Sequence, residues 1–80
     1  MLRIGDTVSW RHGWGTGPLI SGVVTGLEQT DYPREKYGTG VEVVSWDTVR
    51  ENRVLVTLGG SWAYSSQISP LGTDPSSWHK

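Results

Sequence analysis

The sequence predicts an all-β domain, a small barrel of five short, strongly bent strands. Three observations predict it. Apolar and polar residues alternate in several segments, which is the period of a half-buried strand. Gly, Pro, Ser and Thr recur too often to leave an amphipathic helix of ten residues. The chain has 80 residues, 11 of them glycine, which allows one domain and supplies the tight turns that short strands need.

The first strand is "DTVSWR", with Val8 and Trp10 on one side and Thr7, Ser9 and Arg11 on the other. "PLISGVVTGLE" (18–28) is the second. Its phase is open, because Gly22 and Gly26 permit bulges or sharp coiling. "GVEVVSWD" (40–47) is the third, with Glu42, Val44 and Trp46 on one side and Val41, Val43 and Ser45 on the other. "NRVLVTL" (52–58) is the fourth, with Val54, Val56 and Leu58 on one face. "DTVREN" (47–52) reads as the hairpin connection between these two. A turn at Gly59-Gly60 and a bend at "YSSQ" lead to a short fifth strand near Gln67–Leu71. Closing the sheet removes exposed edges, and small barrels fill their interior with side chains.

The long connections are residues 11–18 and 28–40. In the second, Glu28, Asp31 and Glu35 balance Arg34 and Lys36, so it reads as a solvated loop. The barrel domain is assigned to residues 1–71. Residues 72–80, "GTDPSSWHK", have turn residues and no periodicity, and are assigned to a flexible C-terminal tail.

A chain this short buries only about 60% of its unfolded surface, so its core needs help. It has no cysteine, hence no disulfide and no zinc-binding thiolate, which fits a reducing compartment. Help is expected from Trp10, Trp14, Trp46, Trp62 and Trp78, in a chain without phenylalanine. Each buried indole removes roughly 200 Å² from water. Lys and Arg number 7 against 8 Asp and Glu, a formal net charge of −1, which argues against a general polyanion binder. No apolar run approaches the roughly 18 residues needed to span a bilayer. "MLRIGDTV" lacks the apolar core of a signal peptide.

The densest cluster is "WRHGWGTG" (10–17), with two tryptophans, a histidine and three glycines. It matches no phosphate-loop pattern, and no helix follows to receive an anion. His12 and His79 stand at opposite ends of the chain with no third ligand, so no metal site is expected, and His12 is expected to face water. No Ser, His and carboxylate fall into a triad order, and Asp47 and Glu51 sit beside Arg50 and Arg53 as a mutually neutralising cluster. The chain is therefore expected to be no enzyme and to carry no cofactor. Val8, Trp10, Val44, Trp46, Val54 and Val56 are core by phase. Trp14, Tyr37, Trp62 and Tyr64 lie in or beside glycine-rich turns and form a candidate aromatic rim. Such a rim suits a proline-rich peptide, a methylated lysine or a stacked base. The alternative is that Trp14 and Trp62 fold back as lids over the barrel ends.

"IGDTVSW", "WGTG" with "SGVV", "VEVVSW" and "SWAYSSQISPL" resemble the small SH3-like barrel proteins, a group that includes Tudor-like and KOW-like modules. They resemble in particular short barrels carried by phages of marine cyanobacteria, which share a "GD.V.W" strand and a "WG.G" turn. The resemblance covers about residues 4–71. It implies an SH3-like fold and, by analogy with Tudor-like cages, a role for Trp14 with Trp46 or Tyr37. It fixes no function, because this fold hosts unrelated roles.

The expected function is a protein- or peptide-interaction module using the loop aromatics, located in the cytoplasm, or in the host cytoplasm if the chain is phage-encoded. Two alternatives stand beside it. One is a nucleic-acid accessory factor using Arg11, Arg34, Lys36, Arg50 and Arg53. The other is an oligomeric structural or assembly protein.

Overall fold

Alternating side chains, broken by turns and two one-turn helices, build the elements in chain order. The computed structural model describes residues 1–13, 16–35 and 38–79. A two-residue strand, β1 (Leu2–Arg3), is followed by β2 (Thr7–Arg11), the first of the expected strands. The second expected strand is split into β3 (Leu19–Val23) and β4 (Gly26–Gln29). The chain bends at Val24 and Thr25, between the two glycines that left its phase open. A 3-10 turn at Pro33–Glu35 interrupts the loop that follows.

The third expected strand is also split, into β5 (Thr39–Val41) and β6 (Val43–Val44), and it stops before Trp46. Residues 47–52, expected as a hairpin connection, instead belong to the one-turn helix α1 (Trp46–Arg50) and its exit. The cause is local. Ser45 caps the helix, its hydroxyl accepting from Thr48 N at 3.1 Å, with Asp47 in the first turn and Arg50 in the last. Then come β7 (Val54–Leu58) and β8 (Ser61–Tyr64), joined by the expected Gly59-Gly60 turn, where Gly59 has φ 66°. A 3-10 turn at Ser65–Gln67 leads to β9 (Ile68–Pro70), the fifth expected strand. The chain ends in α2 (Pro75–Trp78).

The strands pair antiparallel in three sheets, ordered β1-β6, β3-β2-β9 and β5-β4-β7-β8. The all-β expectation stands as a mostly β fold. Five strands closed into one barrel are not found among the described residues. Short breaks at Val24–Thr25 and Glu42 divide the expected second and third strands, β1 and β8 are added to them, and the nine strands fall into separate sheets.

One core joins them. Val8, Val44, Val54, Val56 and Leu58 are buried, as their phase predicts, and Leu2, Val24, Leu27, Val49 and Ile68 complete the same cluster. Trp10 and Trp46 pack against this cluster but are only half-buried. Trp46 does not extend the valine pleat, because it opens α1.

The expected flexible tail is a second correction. Residues 72–79 are folded onto the three-stranded sheet. Asp74 caps α2 by accepting from Ser76 N at 2.9 Å, and Pro75 at the start of the helix is buried. Gly72 N donates to Ser9 Oγ at 3.0 Å, and Ser69 Oγ donates to Thr73 O. Those bonds satisfy two serines on the outer side of the sheet, both buried. Trp78 packs against the core and lies 5.2 Å from the Trp46 ring in a T-shaped pair, with the Arg50 guanidinium 4.3 Å from its centroid. The sequence reading missed this because a four-residue helix is too short to show periodicity.

Arg11 holds the tail electrostatically, donating to both Asp74 oxygens at 3.0 and 2.6 Å. This bond, then the Ser76 N–H, keeps the Asp74 carboxyl well below the usual carboxylate range. A depressed folded-state pKa stabilises above the unfolded pKa of about 3.9 and loses that contribution as pH falls further. The expected result is a melting temperature that declines on acidification below about pH 4. Asp74→Asn keeps the cap but removes the charge, so it should flatten that decline, as thermal melts across the acid range will show. An equally steep decline in the variant would assign the acid sensitivity elsewhere.

Candidate functional site

The exposed aromatic face grows out of β8. Trp62 and Tyr64 are two residues apart and share one face, while Ala63 between them is buried in the core. Their cross-strand partners on β7 are Thr57 and Leu55. Leu55 is only 7% exposed, so this outer face has an apolar floor. The Trp62 and Tyr64 rings meet edge to face, centroids 5.1 Å apart and planes at 87°. Trp62 is 40% exposed.

Trp62 is the shared wall of two depressions. One, of about 250 Å³, is lined by Trp10, His12, Gly13, Ser61, Trp62 and Gln67. The other, of about 180 Å³, is lined by Glu28, Leu55, Thr57 and Trp62. Taken together, on either side of the shared indole, they are a candidate groove. Its lining residues carry one formal charge, that of Glu28.

The far wall is set by a glycine. Trp10 is paired with Ile20 on β3, and Gly22 lies next along that face. A Cβ at Gly22 would come within 3.1 Å of both the Trp10 ring and Leu58. The bare backbone therefore makes room for the indole. His12 was expected to face water, but it is half-buried with its ring 5.8 Å from that of Trp10, at 64°. Its carbonyl accepts from Gly17 N at 2.9 Å, and its ring lies where a Cβ on Gly17 would meet it at 3.2 Å.

Gln67 ties the walls together. Its Nε2 donates to Arg11 O at 3.1 Å, and its Oε1 accepts from Tyr64 N at 3.0 Å. One buried amide thus fixes the end of β2, which carries Trp10 and His12, against β8, which carries Trp62. The groove is held in shape before any ligand arrives.

Of the expected rim, Trp62 and Tyr64 stand together on the outer face, while Trp14 and Tyr37 lie outside the described residues. The expected basic set is largely engaged. Arg11 is bound to Asp74. Arg53 donates to Asp31 at 2.9 and 2.5 Å. Arg50 stacks on Trp78, Arg34 is exposed in the 3-10 turn, and Lys36 lies outside the described residues. A larger depression of about 580 Å³ surrounds the Asp31–Arg53 pair and is bordered by Gln29, Thr30, Tyr32 and Thr39.

Sequence reasoning missed Trp10, His12 and Gln67 as groove residues. A signal for Gln67 was present: in "YSSQ" the side chain reaches back to the backbone three residues earlier, the geometry of a capping box. Among the described residues no group of three or more His, Asp or Glu side chains could hold a metal ion. No helix among them is long and apolar enough to cross a membrane. No protein-family model matches this chain, and neither a curated protein nor a solved structure matches it.

Proposed function

We propose that this protein is a non-catalytic interaction module, a small SH3-like barrel that binds an extended peptide segment of a protein partner across Trp62. The observation that carries the reading is the groove itself: an exposed indole standing between two shallow depressions of mixed lining, with Gln67 bracing the strands that carry Trp10 and Trp62. Stiff aromatic side chains of this kind give large contact area at low entropic cost, and they are common anchors in interfaces. The shared wall suits a ligand that lays one apolar side chain on each side of the ring. Glu28 at one end favours a lysine or arginine beyond them. Phosphate-rich ligands are disfavoured at this face, because its lining carries no cation. Two features support the SH3-like architecture. The first long strand, β2, pairs with the last, β9, and the bent β3–β4 segment passes from one sheet into another.

The test is a displayed peptide library selected on the folded protein. Affinity of the selected peptide is then measured for wild type and for Trp62→Ala. Loss of the indole should weaken binding at least about tenfold, the effect of removing roughly 1.4 kcal/mol. The melting temperature should move only slightly, because this side chain is substantially exposed. Unchanged affinity in the variant would refute the groove.

A further inference from the structure

The two edges of the three-stranded sheet β3-β2-β9 are treated oppositely, and the difference lies in their backbone groups. On the β9 edge every outward group is accounted for. Ile68 N donates to Ser65 O, and Ile68 O accepts from His79 Nε2 at 2.8 Å. Pro70 has no N–H, and its carbonyl accepts from Thr73 N at 3.0 Å. Among the described residues the β3 edge has no such cover. Val24 N donates to Asp6 O at 2.9 Å and Val24 O accepts from Gly5 N at 2.7 Å, so the backbone groups of Val24 face the β2 side. By antiparallel alternation those of Gly22 and Ile20 do too, while Leu19, Ser21 and Val23 aim theirs outward. The bond from Gln67 to Arg11 O fits the same alternation, since it turns the odd residues of β2 toward β9. The outward groups of Leu19, Ser21 and Val23 find no hydrogen-bond partner among the described residues.

Natural edges are guarded by charge, proline or a bulge. Within residues 19–23 there is none of these, and no Asp, Glu, Lys or Arg occurs between Arg11 and Glu28. Leu19, Ile20 and Val23 are 44%, 40% and 51% exposed.

We propose that two copies of this chain pair antiparallel through β3, about a twofold axis at Ser21. The strand is its own complement. With Ser21 opposite Ser21 of the second copy, Leu19 falls opposite Val23, and every outward N–H meets an outward C=O. The exposed Leu19 and Val23 side chains then cover one another, and no like charges face across the axis. The result is one continuous six-stranded sheet with a closed, isologous interface. A second copy is the fitting occupant because an uncharged strand offers nothing for a charged partner to read. This dimer does not depend on the Trp62 groove, to which β3 contributes no lining residue.

Sedimentation equilibrium from micromolar to millimolar protein tests it, together with amide exchange. Wild type should shift from monomer to dimer with concentration, and the Leu19, Ser21 and Val23 amides should gain protection in parallel. The Leu19→Lys/Val23→Lys and Leu19→Glu/Val23→Glu double variants alter exposed side chains and should melt near wild type. Each alone should associate at least about tenfold more weakly, the effect of about 1.4 kcal/mol. An equimolar mixture of the two should recover dimer, because the register sets each introduced lysine against an introduced glutamate. The proposal is overturned if wild type stays monomeric at millimolar concentration, if the lysine variant dimerises as tightly as wild type, or if the mixture does not recover. Protection that appears only when a foreign extended peptide is added would assign the edge to another partner and overturn it equally.

Discussion

Deleting residues 73–80 is expected to abolish cooperative folding. The segment holds buried Pro75, half-buried Trp78 and the Asp74 carboxylate that binds Arg11. Without it Ser69 loses the Thr73 carbonyl, Ile68 O loses the His79 ring, and Trp46 loses its T-shaped partner. An unsatisfied buried polar group costs about 1–3 kcal/mol and a buried large aromatic about 3–5 kcal/mol. Small domains have only about 5–15 kcal/mol in total, so these losses together exhaust most of the stability. Trp78→Ala alone should cost about 3 kcal/mol, the lower end for a tryptophan, because the ring is half-buried. Urea denaturation followed by tryptophan fluorescence measures both. A truncated chain that still unfolds cooperatively, at a urea midpoint close to that of full length, would show that the tail is dispensable.

Trp10 gives the second large effect, and its two substitutions should differ sharply. The indole packs against the core, lies over Gly22 and meets the edge of His12. Trp10→Ala leaves a void where three strands meet and should cost about 3–5 kcal/mol. The indole Nε1 is buried without a hydrogen-bond partner among the described residues, so part of what the ring contributes is already offset by a desolvated donor. Trp10→Phe removes that donor together with some apolar area. It should therefore stay within about 1 kcal/mol of wild type. Equal losses in the two variants, measured by chemical denaturation, would mean that Nε1 is satisfied in solution.

The parts legible in the sequence are those set by period two and by turn chemistry. Val8, Val54 and Val56 are buried on the predicted face, and the Gly59-Gly60 turn falls where it was expected, although the strand it leads into, Ser61–Tyr64, was not expected. The segment around Trp46 misled because "VEVVSW" continues an alternating pattern, while Ser45 is also a helix cap; the hydroxyl bond to Thr48 N wins. The tail was illegible because its hold on the molecule is long-range. Arg11 and Asp74 are 63 positions apart, and nothing local in either announces the pair. The candidate groove was half legible. Trp62 and Tyr64 stand out beside a glycine turn, but Trp10 looks like a core residue, His12 like a loop residue, and Gln67 acts through backbone atoms, one of them on the distant strand β2.

The central claim, that binding centres on Trp62, is tested most directly by titrating the isotopically labelled protein with a library-selected peptide and following its indole N–H resonances. The account predicts progressive shifts at Trp62 and smaller ones at Trp10, which line the same depression, with Trp46 and Trp78 unmoved under the C-terminal segment. Shifts confined to Trp46 and Trp78, or saturation of binding with the Trp62 signal unchanged, would contradict it.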